Sequence, residues 1–197
     1  MRRQAFGKGT SIAYHALRVL TIDRGEFVKR VLISMAIAAV LGSCATTPTG
    51  PAAVATLEPT KGNATTGTVD FVQRGDKVLV TARVTGLSPG GHGFHIHEKG
   101  DCSSGDGMSA GGHFNPFGKP HGDPSRPDHH AGDMPMLVAD SYGAARLTAE
   151  LDGASVGGAT GDIVGKAVIV HKDPDDFTTQ PTGNSGARVA CGVIRKS

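Results

Sequence analysis

Beyond about residue 55 the chain alternates apolar and polar positions in short runs. Over 77–85, Val78, Val80, Ala82 and Val84 fall on one side of an extended segment, and Leu79, Thr81, Arg83 and Thr85 on the other. A period of two predicts a half-buried antiparallel strand. A partner strand is expected over 66–73, with Arg74-Gly75-Asp76 as the turn between the two. Runs at 92–98, 136–139, 144–151, 167–171 and 188–194 predict further strands. No run places apolar residues at helical spacing between capping residues. The pattern therefore reads as all-β, with seven or eight short antiparallel strands in a sandwich or barrel. Two segments, 99–133 and 172–187, are too long for turns and rich in Gly, Asp and Pro, which marks them as functional loops.

The first 54 residues follow a different pattern. Lys29-Arg30 precede the mainly apolar stretch Val31–Leu41. That stretch is shorter than the roughly 20 residues of a membrane-spanning helix and suits an export signal, expected over 1–43. Leu41-Gly42-Ser43-Cys44 resembles the bacterial lipoprotein box. It predicts lipidation of Cys44, a membrane anchor and a periplasmic or cell-envelope location. An ordinary secretory signal cut nearby, with Cys44 incidental, is the alternative. Asp23 and Glu26 do not suit a basic leader, so 1–27 reads as an upstream extension with translation starting near Val28. Residues 45–54 are small, polar and proline-containing, so 44–54 is expected as a lipidated tether and 55–197 as the domain.

Composition changes the picture in two places. The chain has 197 residues, 29 of them Gly and none Trp, which favours turns over helices. Residues 1–43 hold seven of the 20 basic and two of the 18 acidic side chains, so the remainder carries 13 against 16 and a net charge of −3. A mildly acidic domain has no electrostatic reason to bind nucleic acid, and any attraction for an anion must be local. With Cys44 taken by lipid, Cys102 and Cys191 remain as one pair. An oxidising compartment would join them in a disulfide, worth about 4–5 kcal/mol in the chain-entropy model for a loop of that length.

Histidine carries the candidate chemistry. Seven of the nine histidines lie between Gly91 and Asp133. His95 and His97 occupy positions i and i+2 of a predicted strand, so both imidazoles project from one face. The following loop adds His113, His121, His129, His130 and Asp133, and His171 ends the run Ala167–Val170. Three imidazoles with a carboxylate suit zinc, and an imidazole-only set suits copper or zinc. Any one of these histidines reads equally well as a solvated or hydrogen-bonded residue; the set together does not.

Gly91-His92-Gly93-Phe94-His95-Ile96-His97-Glu98, Gly111-Gly112-His113-Phe114-Asn115-Pro116, His130-Ala131-Gly132-Asp133 and Gly186-Ala187-Arg188-Val189-Ala190-Cys191-Gly192-Val193-Ile194 resemble the signature segments of copper-zinc superoxide dismutases, in the family's order. The resemblance spans roughly 55–195. It implies an eight-stranded Greek-key β-barrel, an immunoglobulin-like sandwich, with one copper and one zinc in its long loops. Copper would be held by His95, His97, His113 and His171, and zinc by His113, His121, His130 and Asp133, with His113 bridging as an imidazolate. Asp175 would link His95 to His121, although Asp173 and Asp176 stand near enough to compete. His92 would hydrogen-bond rather than ligate. His129 has no matching role and reads as a surface residue, or as a replacement for His130 if the loop slips.

The implied reaction converts superoxide to dioxygen and hydrogen peroxide by cycling Cu(II)/Cu(I). His113 would release copper on reduction and take a proton, and Arg188 would attract and orient the anion. Cys102 would tie the metal loop to the strand after Arg188. Lys172 is the one cation among Asp173, Asp175 and Asp176, so weak salt dependence is expected. The resemblance allows a homodimer without marking its surface. A non-catalytic copper- and zinc-buffering envelope lipoprotein on the same fold is the competing function; Arg188 and the bridging motif favour the enzyme.

Overall fold

A computed structural model describes residues 50–158 and 160–197. The expected export signal and Cys44 lie outside the described residues. Ten strands follow in order: β1 (Ala52–Pro59), β2 (Thr66–Arg74), β3 (Lys77–Thr85), β4 (Gly90–His92), β5 (Phe94–His97), β6 (Leu137–Ala139), β7 (Ala145–Leu151), β8 (Ala167–His171), β9 (Arg188–Val193) and β10 (Arg195–Lys196). A single 3-10 turn, Met108–Ala110, is the one helical element among the described residues.

Seven strands form one curled antiparallel sheet in the order β5-β8-β9-β1-β2-β3-β7, with β10 on β1, while β4 and β6 pair separately. The non-sequential neighbours β9-β1 and β3-β7 give the sheet its Greek-key character. The β2–β3 hairpin closes at Arg74 opposite Lys77, leaving Gly75-Asp76 as its tip. Val78, Val80, Ala82 and Val84 are all buried, as the period of two requires.

Two differences from the sequence reading stand out. Strand β1 begins at Ala52, and Ala52, Ala53 and Val54 pair with Val72, Phe71 and Asp70. The end of the expected tether is therefore part of the sheet. Its buried positions, Ala53, Ala55 and Leu57, alternate, but two alanines give a weak hydrophobic signal. The single strand expected over 92–98 is broken at Gly93, where a Cβ would lie 2.5 Å from that of Ser185. The break sends β4 to β6 and β5 to β8.

The core lies inside the curl. Leu57, Val69, Phe71, Val78, Val80, Phe94, Ile96, Val168 and Val170 are sealed from solvent. Burying side chains of this size contributes about 1.5–3 kcal/mol each. The pairing of β5, β8 and β9 sorts their other face. His95 is opposite Ile169 and His97 opposite Ala167, with Ile169 opposite Cys191. Ala167, Ile169 and Cys191 pack there with Ala110 and Cys102 as a second, smaller cluster. The Cys102–Cys191 disulfide, with its Cα atoms 5.9 Å apart, pins the long loop to this outer face.

Candidate metal centre

Both faces of β5 are buried, and each has a different task. Phe94 and Ile96 enter the core, while His95 and His97 point outward under the loops. Two loop segments lie against β5 through backbone bonds. Phe114 N–H donates to Ile96 O at 2.8 Å, Ile96 N–H to Gly132 O at 2.8 Å, and Gly132 N–H to Phe114 O at 2.9 Å. A side chain at Gly132 would run into Ile96 O, so only glycine allows these three backbones to converge. The result sets His113 beside His97 and Asp133 beside His95.

The structure brings His95, His97, His113 and His171 together so that one ring nitrogen of each lies within 4.8 Å of the others. Acceptors on the far side of three rings set which nitrogen faces inward. His95 Nε2–H donates to Asp175 Oδ2 at 2.6 Å, His97 Nδ1–H to Gly111 O at 2.9 Å, and His171 Nδ1–H to Gly186 O at 3.2 Å. Their remaining nitrogens therefore carry lone pairs. Nε2 of His97 and Nε2 of His171 face each other at 3.4 Å, an arrangement two acceptors do not satisfy between themselves. Nδ1 of His95 and Nε2 of His113 are buried without a hydrogen-bond partner among the described residues. Four inward lone pairs, two of them orphaned, fit a cation such as copper.

A second cluster joins His113, His121, His130 and Asp133 within the same 4.8 Å. Asp133 Oδ1 lies 2.8 Å from His113 Nδ1, 3.0 Å from His121 Nδ1 and 3.3 Å from His130 Nδ1. Its other oxygen accepts the backbone N–H groups of Gly122 and His130, which holds Oδ1 toward the rings. Three imidazoles and one carboxylate form a closed set that fits zinc. His113 is common to both clusters, one nitrogen in each.

Asp175 connects the clusters from behind. It accepts from His95 through Oδ2 and from His121 Nε2–H through Oδ1 at 3.0 Å. Asp173 and Asp176 are exposed and do not compete; Asp176 instead accepts from Thr178 and Thr179. Such acceptors orient metal-binding imidazoles and make them more basic.

Burial lowers His113 to about 4 and His171 to about 3, with neighbouring histidines adding to the effect. Burial likewise lowers His95 and His97. For His121 burial acts downward, but its bonds to Asp133 and Asp175 together outweigh it and raise the ring to about 9. Burial acts upward on Asp133, yet the bonds from His113, His121 and His130 hold its carboxyl well below the usual range. The first cluster thus presents neutral donors at neutral pH, and the second holds the Asp133 carboxylate beside a protonated His121.

Arg188 is half-buried beside the first cluster. Its guanidinium donates to Gly107 O and Gly111 O, both at 2.7 Å. It borders an open cleft of about 300 Å3 with His97, His113, His171 and Asn184. A cation fixed by two carbonyls at the mouth of an imidazole cluster can hold a small anion there. His92 sits beneath, its ring nitrogens 2.8 Å from the carbonyl oxygens of His171 and Ser88.

His129 requires a correction. It is not a surface residue: only 7 % of it is exposed, and its Nδ1–H donates to His130 O at 2.7 Å. Nor does it replace His130, which is the ring that reaches Asp133. Backbone partners such as Gly107 O, Gly111 O and Gly186 O escaped the sequence reading, since a carbonyl leaves no mark beyond the glycine richness of the loops.

The comparisons with known proteins agree with this geometry. Residues 65–194 match the family model for copper/zinc superoxide dismutase. A superoxide dismutase [Cu-Zn] 2 from Brassica juncea is 45% identical over 135 residues, covering 65% of this chain and 88% of that protein. The crystal structure of the clock protein EA4 superposes with a TM-score of 0.67 at 42% identity, covering 75% of this chain and 96% of that one. This chain belongs to the copper/zinc superoxide dismutase family, and it is an enzyme of that family that uses copper and zinc to act on superoxide.

Proposed function

We propose that this chain is a lipid-anchored dismutase of the cell envelope, that His95, His97, His113 and His171 hold its copper, and that His113, His121, His130 and Asp133 hold its zinc. Copper held by the first cluster would supply the one-electron couple needed to convert superoxide to dioxygen and peroxide. Arg188 draws the anion into the cleft and orients it. His113 would take a proton from solvent at Nε2 whenever that nitrogen is not ligating and deliver it to the departing peroxide, whose second proton comes from water, while Asp133 keeps the ring aligned through the Nδ1 side. Asp175 fixes His95 and His121 in the tautomers that ligation needs. Cys44, lipidated, places the domain where it meets superoxide arriving from outside the cell.

The observation that carries the reading is the placement of His113, whose two nitrogens face two separate ligand clusters. Metal content and dismutation by the purified mature domain test it together. One copper and one zinc per chain, with turnover abolished in His97→Ala, is the expected outcome; full metal without turnover would favour the buffering role instead. Anchoring is tested separately by detergent phase partitioning. The native protein should enter the detergent phase and Cys44→Ser the aqueous phase; a native protein already in the aqueous phase would refute the anchor.

A further inference from the structure

His129 takes no part in either ligand cluster, yet it is buried and borders a cleft of about 590 Å3. With Nδ1–H donated to His130 O, Nε2 carries the ring's lone pair. That nitrogen has no hydrogen-bond partner among the described residues, and the ring lines the cleft. The walls are apolar: Phe117, Pro124, Pro127 and Ala131. Phe117 is 48% exposed, large for an aromatic of this size, with its ring edge against Gly153, which also lines the cleft.

The charged groups at the cleft are unequal. Asp152 is paired with Lys77 at 3.2 Å, and the Lys119 ammonium donates to Pro127 O. Arg126 is exposed and makes no direct side-chain bond among the described residues, but its charge and that of the His129 ring act on the nearby Asp123 carboxylate. One guanidinium without a direct side-chain bond, one imidazole acceptor and apolar walls form the pattern of a small-molecule site. A cation is disfavoured by Arg126. A purely apolar guest would leave His129 Nε2 without a partner, and a bare inorganic anion would leave the Phe117 wall uncovered.

We propose that this cleft binds a small aromatic acid bearing a ring hydroxyl. The ring packs on Phe117 and the prolines, the carboxylate pairs with the Arg126 guanidinium, and the hydroxyl donates to Nε2 of His129. The cleft lies on the outside of the loop that carries His130, lined by its neighbours His129 and Ala131.

Calorimetric titration of the metal-loaded protein with 4-hydroxycinnamate tests the proposal, with cinnamate and 4-vinylphenol as probes lacking the hydroxyl and the carboxylate. Saturable binding is expected, weakened about tenfold or more for both controls and in Arg126→Gln and His129→Phe. Arg126 is exposed, so Arg126→Gln keeps the test valid if His129→Phe disturbs the loop, and it should leave dismutation unchanged. Absence of saturation up to about 10 mM, or affinity indifferent to Arg126→Gln and to removal of the carboxylate, would overturn the proposal.

Discussion

Arg188 stands directly opposite His171 across the β8–β9 pair because the register slips by one residue at Val170/His171. Up to that point the pairing runs Ala167 with Val193 through Val170 with Ala190. Continued unbroken, it would set Arg188 opposite Lys172 and on the inward face of Ala190. The slip leaves Val189 without a partner on β8 and turns the arginine outward, to the face of His95, His97 and His171. Val189 and Ala190 both remain in the core. An irregularity in the sheet thus places the guanidinium beside the imidazoles.

Arg188→Ala should lower kcat/KM for superoxide about tenfold or more while leaving copper and zinc content unchanged. Arg188→Lys should recover only part of the loss, since an ammonium cannot reach Gly107 O and Gly111 O as a planar fork does. Steady-state dismutation with metal analysis decides it; an unimpaired Arg188→Ala would remove the arginine from the mechanism.

Gly183 has a φ of +70°, and a Cβ there would collide with Asp175 Oδ1 and lie 2.5 Å from His121 Nε2. Gly183→Ala should break the Asp175–His121 bond, cost about 2 kcal/mol, and speed zinc loss to a chelator. Zinc retention equal to that of the native protein would show that this bond does not secure the site.

The Cys102–Cys191 bridge closes 89 residues of chain. Replacing both cysteines by serine should cost about 4 kcal/mol, or roughly 10 °C in Tm. Activity should fall as well, because Gly107 and Gly111, which hold Arg188, sit on the loop the bridge pins. Thermal unfolding and kcat/KM measured together check both parts, and full activity with a lowered Tm would confine the bridge to stability.

The metal-free protein should be most stable near pH 6.5. His113 at about 4 and His171 at about 3 bind fewer protons folded than unfolded, so stability falls as pH drops from 6.5 through those values. Asp133 and Asp175, held low in the fold, lose their contribution below the ordinary carboxylate range. His121, raised to about 9, contributes fully below 6.5, and that contribution is lost as pH climbs from 6.5 through 9. Each group changes stability by up to about 1.4 kcal/mol per pH unit. Denaturant titrations across pH 3–10 should trace this maximum; a flat profile would contradict the assigned couplings.

Much of the site was legible because strand parity is local. His95 and His97, two residues apart in an alternating run, had to share a face, and the Val78–Val84 alternation placed the core in the same way. The hidden parts depend on distant backbone. Nothing in Val170 or Val189 announces a register slip. His129 and His130 are chemically identical neighbours, and only the fold of 128–133 decides that one reaches Asp133 while the other turns to a cleft. The resemblance singled out Asp175, but only its bonds to His95 and His121 set it apart from Asp173 and Asp176.

The account rests on one imidazole joining two sites. Anomalous diffraction from crystals of the metal-loaded protein, collected at the copper and zinc edges, measures this most directly. Two different ions about 6 Å apart, one at each ring nitrogen of His113, is the predicted result. A single ion, or two ions that do not share that ring, would contradict it.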